Sequence, residues 1–165
     1  MVDLSKCKKC NKQTSKEFCD FCFLDVIYKR LRKHIRTNRF IQKDDNLLIK
    51  DPLTKKILEF IINTPINVKY KGQLTSKTKE ILTFCLDDIE EQYLNKLFHG
   101  KNFKLKFKKN QIPLFLVLTK EELQRLAKLH KVKLPKRKKT LVSEFLDHFE
   151  KQFPGTKFNI KKSIL

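Results

Sequence analysis

Glycine is nearly absent from this chain. Three occur in 165 residues, and none lies between residues 46 and 56, so a glycine-rich loop cradling phosphate cannot form there in its usual form. No apolar run approaches the roughly 20 residues that span a bilayer. The opening residues Met1 to Lys6 hold no apolar segment of signal type. The expectation is an intracellular, cytoplasmic protein with no membrane partner. Catalytic groupings are missing as well. His34, His99, His130 and His148 sit singly on expected helices or at their ends, and Cys85 stands alone in an apolar context that predicts burial. Asp87-Asp88 could take a metal, but an acidic helix start explains the pair without one. No internal repeat or low-complexity segment breaks the chain. Acids are scarce too: 18 Asp and Glu face 38 Lys and Arg, for a net charge of +20.

The strongest pattern present is Cys7-Lys-Lys-Cys10, a short spacer, then Cys19-Asp-Phe-Cys22. Two such pairs can deliver four thiolates to one tetrahedral zinc, each pair forming a knuckle. Two disulfides or four unrelated buried thiols are the alternatives, and disulfides are disfavoured because nothing suggests secretion. Four thiolates leave no open position for a reacting water, so a zinc here would be structural.

After the cysteines, Phe23, Leu24, Ile27, Tyr28, Leu31 and Ile35 recur at helical spacing. The other face carries Lys29, Arg30, Arg32, Lys33, Arg36 and Arg39, with Asp25 opposing them. A zinc site would fix the start of this helix and aim its cations at a phosphate backbone, and the net charge points to RNA as the polyanion. A solvated helix face is the plainer reading of the same residues.

Downstream, Leu47-Leu48-Ile49 predicts a buried strand, Asp51-Pro52 opens a helix, and Ile66–Tyr70 suits a second strand. Together they read as a parallel βαβ unit. Gly72–Ser76 is expected as a loop. Ile81–Leu86 is ambiguous between strand and helix. From Asp87 the pattern is helical up to Gly100. Alternating Phe103, Leu105 and Phe107 with Lys104, Lys106 and Lys108 predicts an extended segment with one basic edge. Thr119 to Glu122 is a capping box. Lys131–Lys139 is a basic linker, and Thr140 caps the last clear helix. The tail Thr156–Leu165 is expected as a strand or an extended arm.

These pieces, in order, resemble the cytoplasmic tRNA 2-thiolation proteins, zinc-bearing members of the N-type ATP pyrophosphatase superfamily. The resemblance begins with the cysteine pairs, the basic helix, Asn38-Arg39, Asp44-Asp45 and Leu47-Leu48-Ile49. Phe84-Cys85-Leu86-Asp87-Asp88 and the helix to Gly100 are similar to the family's Gly-His-Asn-Leu-Asp-Asp helix. Ile112-Pro113-Leu114 with Lys120-Glu121-Glu122-Leu123 follows. Phe145-Leu146, Phe149-Glu150 and Phe153-Pro154-Gly155-Thr156-Lys157-Phe158-Asn159-Ile160 complete it, over nearly the whole chain.

The departures are equally specific. Where the family places its ATP loop, Ser-Gly-Gly-x-Asp-Ser, this chain has Lys50-Asp51-Pro52-Leu53. Thr83-Phe84 replaces the Gly-His pair, Leu134-Pro135 replaces a Cys-Pro, and the catalytic Cys-x-x-Cys of active members is missing. The chain is most like the non-catalytic partner subunit. The resemblance implies a zinc module and basic helix over residues 1–39 and a reduced pyrophosphatase-like α/β domain over 40–165, with a shortened parallel sheet and flanking helices. It implies metal ligands Cys7, Cys10, Cys19 and Cys22, zinc as cofactor, tRNA as ligand and a catalytic thiolation paralogue as partner. The alternative is a family derivative that binds ribosomal RNA or the ribosome.

Overall fold

The computed structural model describes residues 5–62, 67–70, 78–135 and 140–164. Strand β1 (Ser5–Lys6) pairs antiparallel with β2 (Gln13–Thr14), and this small ladder carries the first cysteine pair. Residues 5 and 6 are therefore held in register with residues 13 and 14. Helix α1 (Asp20–Asn38) follows after a bend over residues 15–18. It buries Phe23, Ile27 and Leu31 in the main core, beside residues of the sheet. Arg39 ends it in a left-handed conformation, φ 49°, with its N–H on the Arg36 carbonyl.

The sheet is parallel throughout. Its strands are β3 (Asn46–Ile49), β4 (Asn67–Tyr70), β5 (Thr78–Ile81) and β6 (Gln111–Ile112), in the spatial order β4-β3-β5-β6. Helix α2 (Pro52–Ile61) makes the expected crossover between β3 and β4. Asp51 is its N-cap, accepting from the Thr54 N–H at 2.8 Å. Leu47, Ile49, Leu53, Ile57, Ile81, Ile112, Leu114 and Phe115 fill the core between sheet and helices. Truncating one such side chain to alanine typically costs about 2–5 kcal/mol. The α/β fold class and parallel sheet agree with the sequence reading.

Two boundaries differ. The segment Ile81–Leu86, ambiguous between strand and helix, is divided: Ile81 ends β5, and Cys85 caps helix α3 (Leu86–Phe98). Asp88 accepts from the Cys85 N–H at 2.8 Å and starts the helix there. Thr156–Leu165, expected to be extended, contains helix α6 (Thr156–Ile164). Its cause is a buried lysine: Lys157 reaches Asp87 of α3 and Asp147 of α5 (Leu141–Gln152). Tertiary ion pairing overrides the weak helical pattern of the tail. Helix α4 (Lys120–Leu129) starts at the expected capping box, Thr119 with Glu122. Ile66, the Gly72–Ser76 loop and the end of the Lys131–Lys139 linker fall outside the described residues.

Candidate metal centre and nucleic-acid interface

The two cysteine pairs converge. One ligand atom each from Cys7, Cys10, Cys19 and Cys22 lies within 4.8 Å of all the others, and the Cys10 and Cys19 sulfurs are 3.6 Å apart. A tetrahedral centre with metal–sulfur bonds near 2.3 Å has sulfur–sulfur edges of about 3.8 Å. The four sulfurs therefore fit one metal ion. The backbone prepares the cluster locally. The Cys7 N–H donates to Lys12 at 2.8 Å and Asn11 turns back on Cys7 at 3.0 Å. Asn11 takes φ 56°, the left-handed region asparagine tolerates. Cys19 is the N-cap of α1 and Cys22 stands in its first turn, where the helix dipole favours negative sulfur.

The cysteines do not share one electrostatic environment. Burial opposes ionisation of Cys7, but N–H groups of Cys19, Lys9 and Cys10 outweigh it and bring that thiol down to about 6. The Cys19 N–H lies 3.3 Å from the Cys7 sulfur. Burial, with the sulfurs of Cys10, Cys19 and Cys7 around it, pushes Cys22 up to about 12. Sulfurs this close titrate as a group, and a bound divalent cation would hold all four as thiolates. The module is tied to the core by Arg125 of α4. Its guanidinium donates to the Phe18 carbonyl at 2.6 Å, pairs with Asp20 at 2.9 Å, and lies 4.2 Å over the Phe23 ring.

The five cations of α1 and its C-cap Arg39 separate into two groups. Arg30 turns inward to Glu122 of α4, at 2.7 and 2.8 Å, and donates to the Val117 carbonyl. Arg32 donates to the Phe60 and Ile61 carbonyls at 2.6 and 3.4 Å. It thereby supplies the positive charge that the last turn of α2 lacks. These two hold the fold together. Lys29 pairs with Asp25 at the surface, while Lys33, Arg36 and Arg39 are exposed. Lys29, Arg32, Lys33 and Arg36 border a groove of about 710 Å³, whose apolar floor includes Ile35, Ile41 and Ile61. Lys43 joins them from the loop before β3. Sequence spacing could not assign it, since it reaches α1 only through the fold. Along residues 101–109, Lys104 and Lys106 are exposed while Phe103, Leu105 and Phe107 are half-buried, matching the expected alternation.

At the carboxyl ends of the sheet strands, where parallel α/β folds bind ligands, lies a cavity of about 420 Å³. Asp51, Leu53, Thr83, Phe115, Lys120 and Leu123 are among its lining residues. The chain leaves β3 toward β4 on one side and reaches β5 on the other, so this is a topological switch point. Asp51 puts its own carboxylate on the α2 N-terminus, bonding both the N–H and the hydroxyl of Thr54. The position where a helix start would receive phosphate already holds an anion.

Asp87 and Asp88 have structural partners. Asp88 caps α3, and Asp87 accepts from the Lys120 N–H at 2.6 Å and from the Lys157 ammonium. Burial works against the Lys157 charge, yet Asp147 and Asp87 hold its pKa above the usual lysine value. Nearby, Glu90 is fully buried, and neither of its carboxylate oxygens has a hydrogen-bond partner among the described residues. Burial, then Asp87, pushes it up to about 9. Cys85 is fully buried, as its context predicted.

A parallel-sheet α/β protein with a four-cysteine cluster at its N-terminal end is what these features define. The fold is similar to that of the U34-tRNA thiolase NcsA from Methanococcus maripaludis, solved with its [4Fe-4S] cluster. The TM-score is 0.75 at 15% identity, over 99% of this chain and 87% of that one. No protein-family model matches the chain, and no curated protein does. Among the described residues, no helix is long and apolar enough to cross a membrane.

Proposed function

We propose that this chain is a cytoplasmic zinc protein of the tRNA-thiolation type, which binds tRNA beside a catalytic paralogue and does not adenylate uridine itself. The observation that carries the reading is the combination of a thiolase-like fold with an α2 N-terminus closed by Asp51. The fold likeness supports a connection with tRNA thiolation. The carboxylate at the phosphate position argues against nucleotide activation. Zinc is supported by the crowding of the sulfurs. A four-iron cluster seats each thiolate on a different iron and spreads the ligands further than a single ion does, whereas these four crowd within 4.8 Å. The groove cations Lys29, Lys33, Arg36 and Lys43 support an RNA ligand. Affinity purification of the tagged full chain tests the reading: a catalytic thiolation subunit with tRNA is the expected catch. Recovery of ribosomal particles instead would favour the ribosome-binding alternative.

A further inference from the structure

Three aromatic rings from three helices meet at the surface beside the basic groove. Tyr28 of α1 stacks on Phe60 of α2, centroids 5.6 Å apart and planes 8° from parallel. His130, at the end of α4, lies 5.4 Å from Phe60 and 6.2 Å from Tyr28. The Tyr28 hydroxyl and His130 Nε2 are 2.6 Å apart. Burial, then Lys56, lowers the His130 pKa, so the ring is neutral near pH 7. Phe60 remains 53% exposed.

Cations are fixed around these rings. Arg32 is bonded to the Phe60 carbonyl. Lys56 donates to the His130 carbonyl at 2.8 Å, and Lys131 and Lys133 follow His130 in exposed positions. We propose that Tyr28, Phe60 and His130 form a stacking platform for an unpaired base of single-stranded RNA, with Lys56, Lys131 and Lys133 taking the flanking phosphates. This rests on the RNA-binding reading above and adds the form of RNA recognised. A base offers a flat face to Phe60, whereas a duplex keeps its bases stacked inside and presents only phosphate and sugar.

Charge selects this cluster over a larger one. The exposed Phe98, Phe145 and Phe153, with half-buried Phe149 among them, also form a ladder, with successive centroids 4.5 to 6.3 Å apart. The helices beneath it, α3 and α5, carry acids such as Glu91 and Glu144 beside Lys96, Lys151 and the lysines of α6, so charge is mixed there. At Phe60, Arg32, Lys56, Lys131 and Lys133 outnumber Glu59, and a polyanion is favoured.

The chain contains no tryptophan, so Phe60→Trp places a single indole in the platform. The probes are an oligouridylate of about eight nucleotides, within the span of a single-strand site, and an RNA duplex of equal charge. The indole emission should fall by more than half when oligouridylate binds at low salt, and should recover when salt strips the RNA. A control, Phe153→Trp, should stay bright. Phe60→Ala should weaken oligouridylate binding by about 5- to 150-fold and duplex binding by less than about twofold. Unchanged emission with RNA bound, equal quenching in the control, or equal loss for both RNAs would overturn the platform. An unchanged RNA affinity in Phe60→Ala would likewise reassign the rings to contact with a protein. If the wild type bound neither RNA at low salt, the underlying RNA-binding reading would fall as well.

Discussion

Arg30 and Glu122 stand 92 residues apart in sequence, and the Arg30 Nη1 lies 2.7 and 2.8 Å from the two oxygens of Glu122. Glu122 is also the return arm of the α4 capping box, accepting from the Thr119 N–H at 2.9 Å. One carboxylate thus starts a helix and clamps it to α1. The pair is partly shielded from water, at 33% and 22% exposure. Arg30→Ala should destabilise the protein by about 1–3 kcal/mol, because it strands Glu122. Its effect on RNA affinity should be small. Urea unfolding and filter binding on the same variant separate the two, and a large RNA defect at unchanged stability would return Arg30 to the RNA-facing set.

The metal centre predicts a coupled loss. Binding energy at a structural site is also folding energy, and Cys19 is both ligand and N-cap of α1. Cys19→Ser should lose its metal and show reduced helicity over α1. Elemental analysis of the wild type should find zinc without iron. Full metal content in Cys19→Ser would refute the four-thiolate centre.

Glu90 gives a pH-dependent prediction whose sign follows from its raised pKa. The folded protein keeps a proton to about 9, while the ordinary carboxylate loses it near 4.5. Below that lower value Glu90 costs nothing; above it, the cost grows with pH until the folded pKa is reached. Glu90→Gln removes the ionisation. It should match the wild type near pH 5 and exceed it by about 1–3 kcal/mol near pH 8. Denaturant melts across that range check it, and a constant gap would show that ionisation is not the cause.

Nucleotide binding is predicted to be absent. With Asp51 on the α2 N-terminus, magnesium-ATP should show no calorimetric binding tighter than about 1 mM. Micromolar affinity, with pyrophosphate released in the presence of tRNA, would make the chain an active adenylating enzyme.

Much of this architecture was legible locally. The cysteine spacing located the cluster, and Asp51-Pro52 and Thr119 to Glu122 marked helix starts that the fold keeps, because capping is a short-range interaction. The errors arose where distant partners decide. The α6 segment has a weak apolar pattern and is drawn into the fold by the Lys157 ion pairs. A helical wheel shows Arg30 and Arg32 beside Lys33 on one polar face. It cannot show Glu122, which faces Arg30, or the α2 carbonyls that hold Arg32. Lys43 was missed for the same reason in reverse, since only the fold carries it to the groove.

The groove cations that remain exposed set the last prediction. Lys33, Arg36 and Lys43 border the same groove, and no ion pair is seen for them among the described residues. Phosphates neutralised by these residues release counterions, so affinity should fall linearly on a log–log plot against salt. Reversing all three to Glu should weaken tRNA binding by more than about tenfold, after screening, and should lower the salt slope by about 2–3. Stability should hardly change, because none of the three clamps a helix, and the metal should stay, because the thiolates are untouched. Wild-type protein should also prefer tRNA to a duplex of equal charge, since folded RNA exposes loops as well as phosphates. Filter-binding titrations across salt, with melts and metal analysis on the same preparations, provide the readouts. An unchanged slope in the triple variant would make this face of α1 a solvated surface. The phosphate contacts would then have to come from the exposed lysines between Lys101 and Lys109 or from Lys131 and Lys133 beside the Phe60 platform.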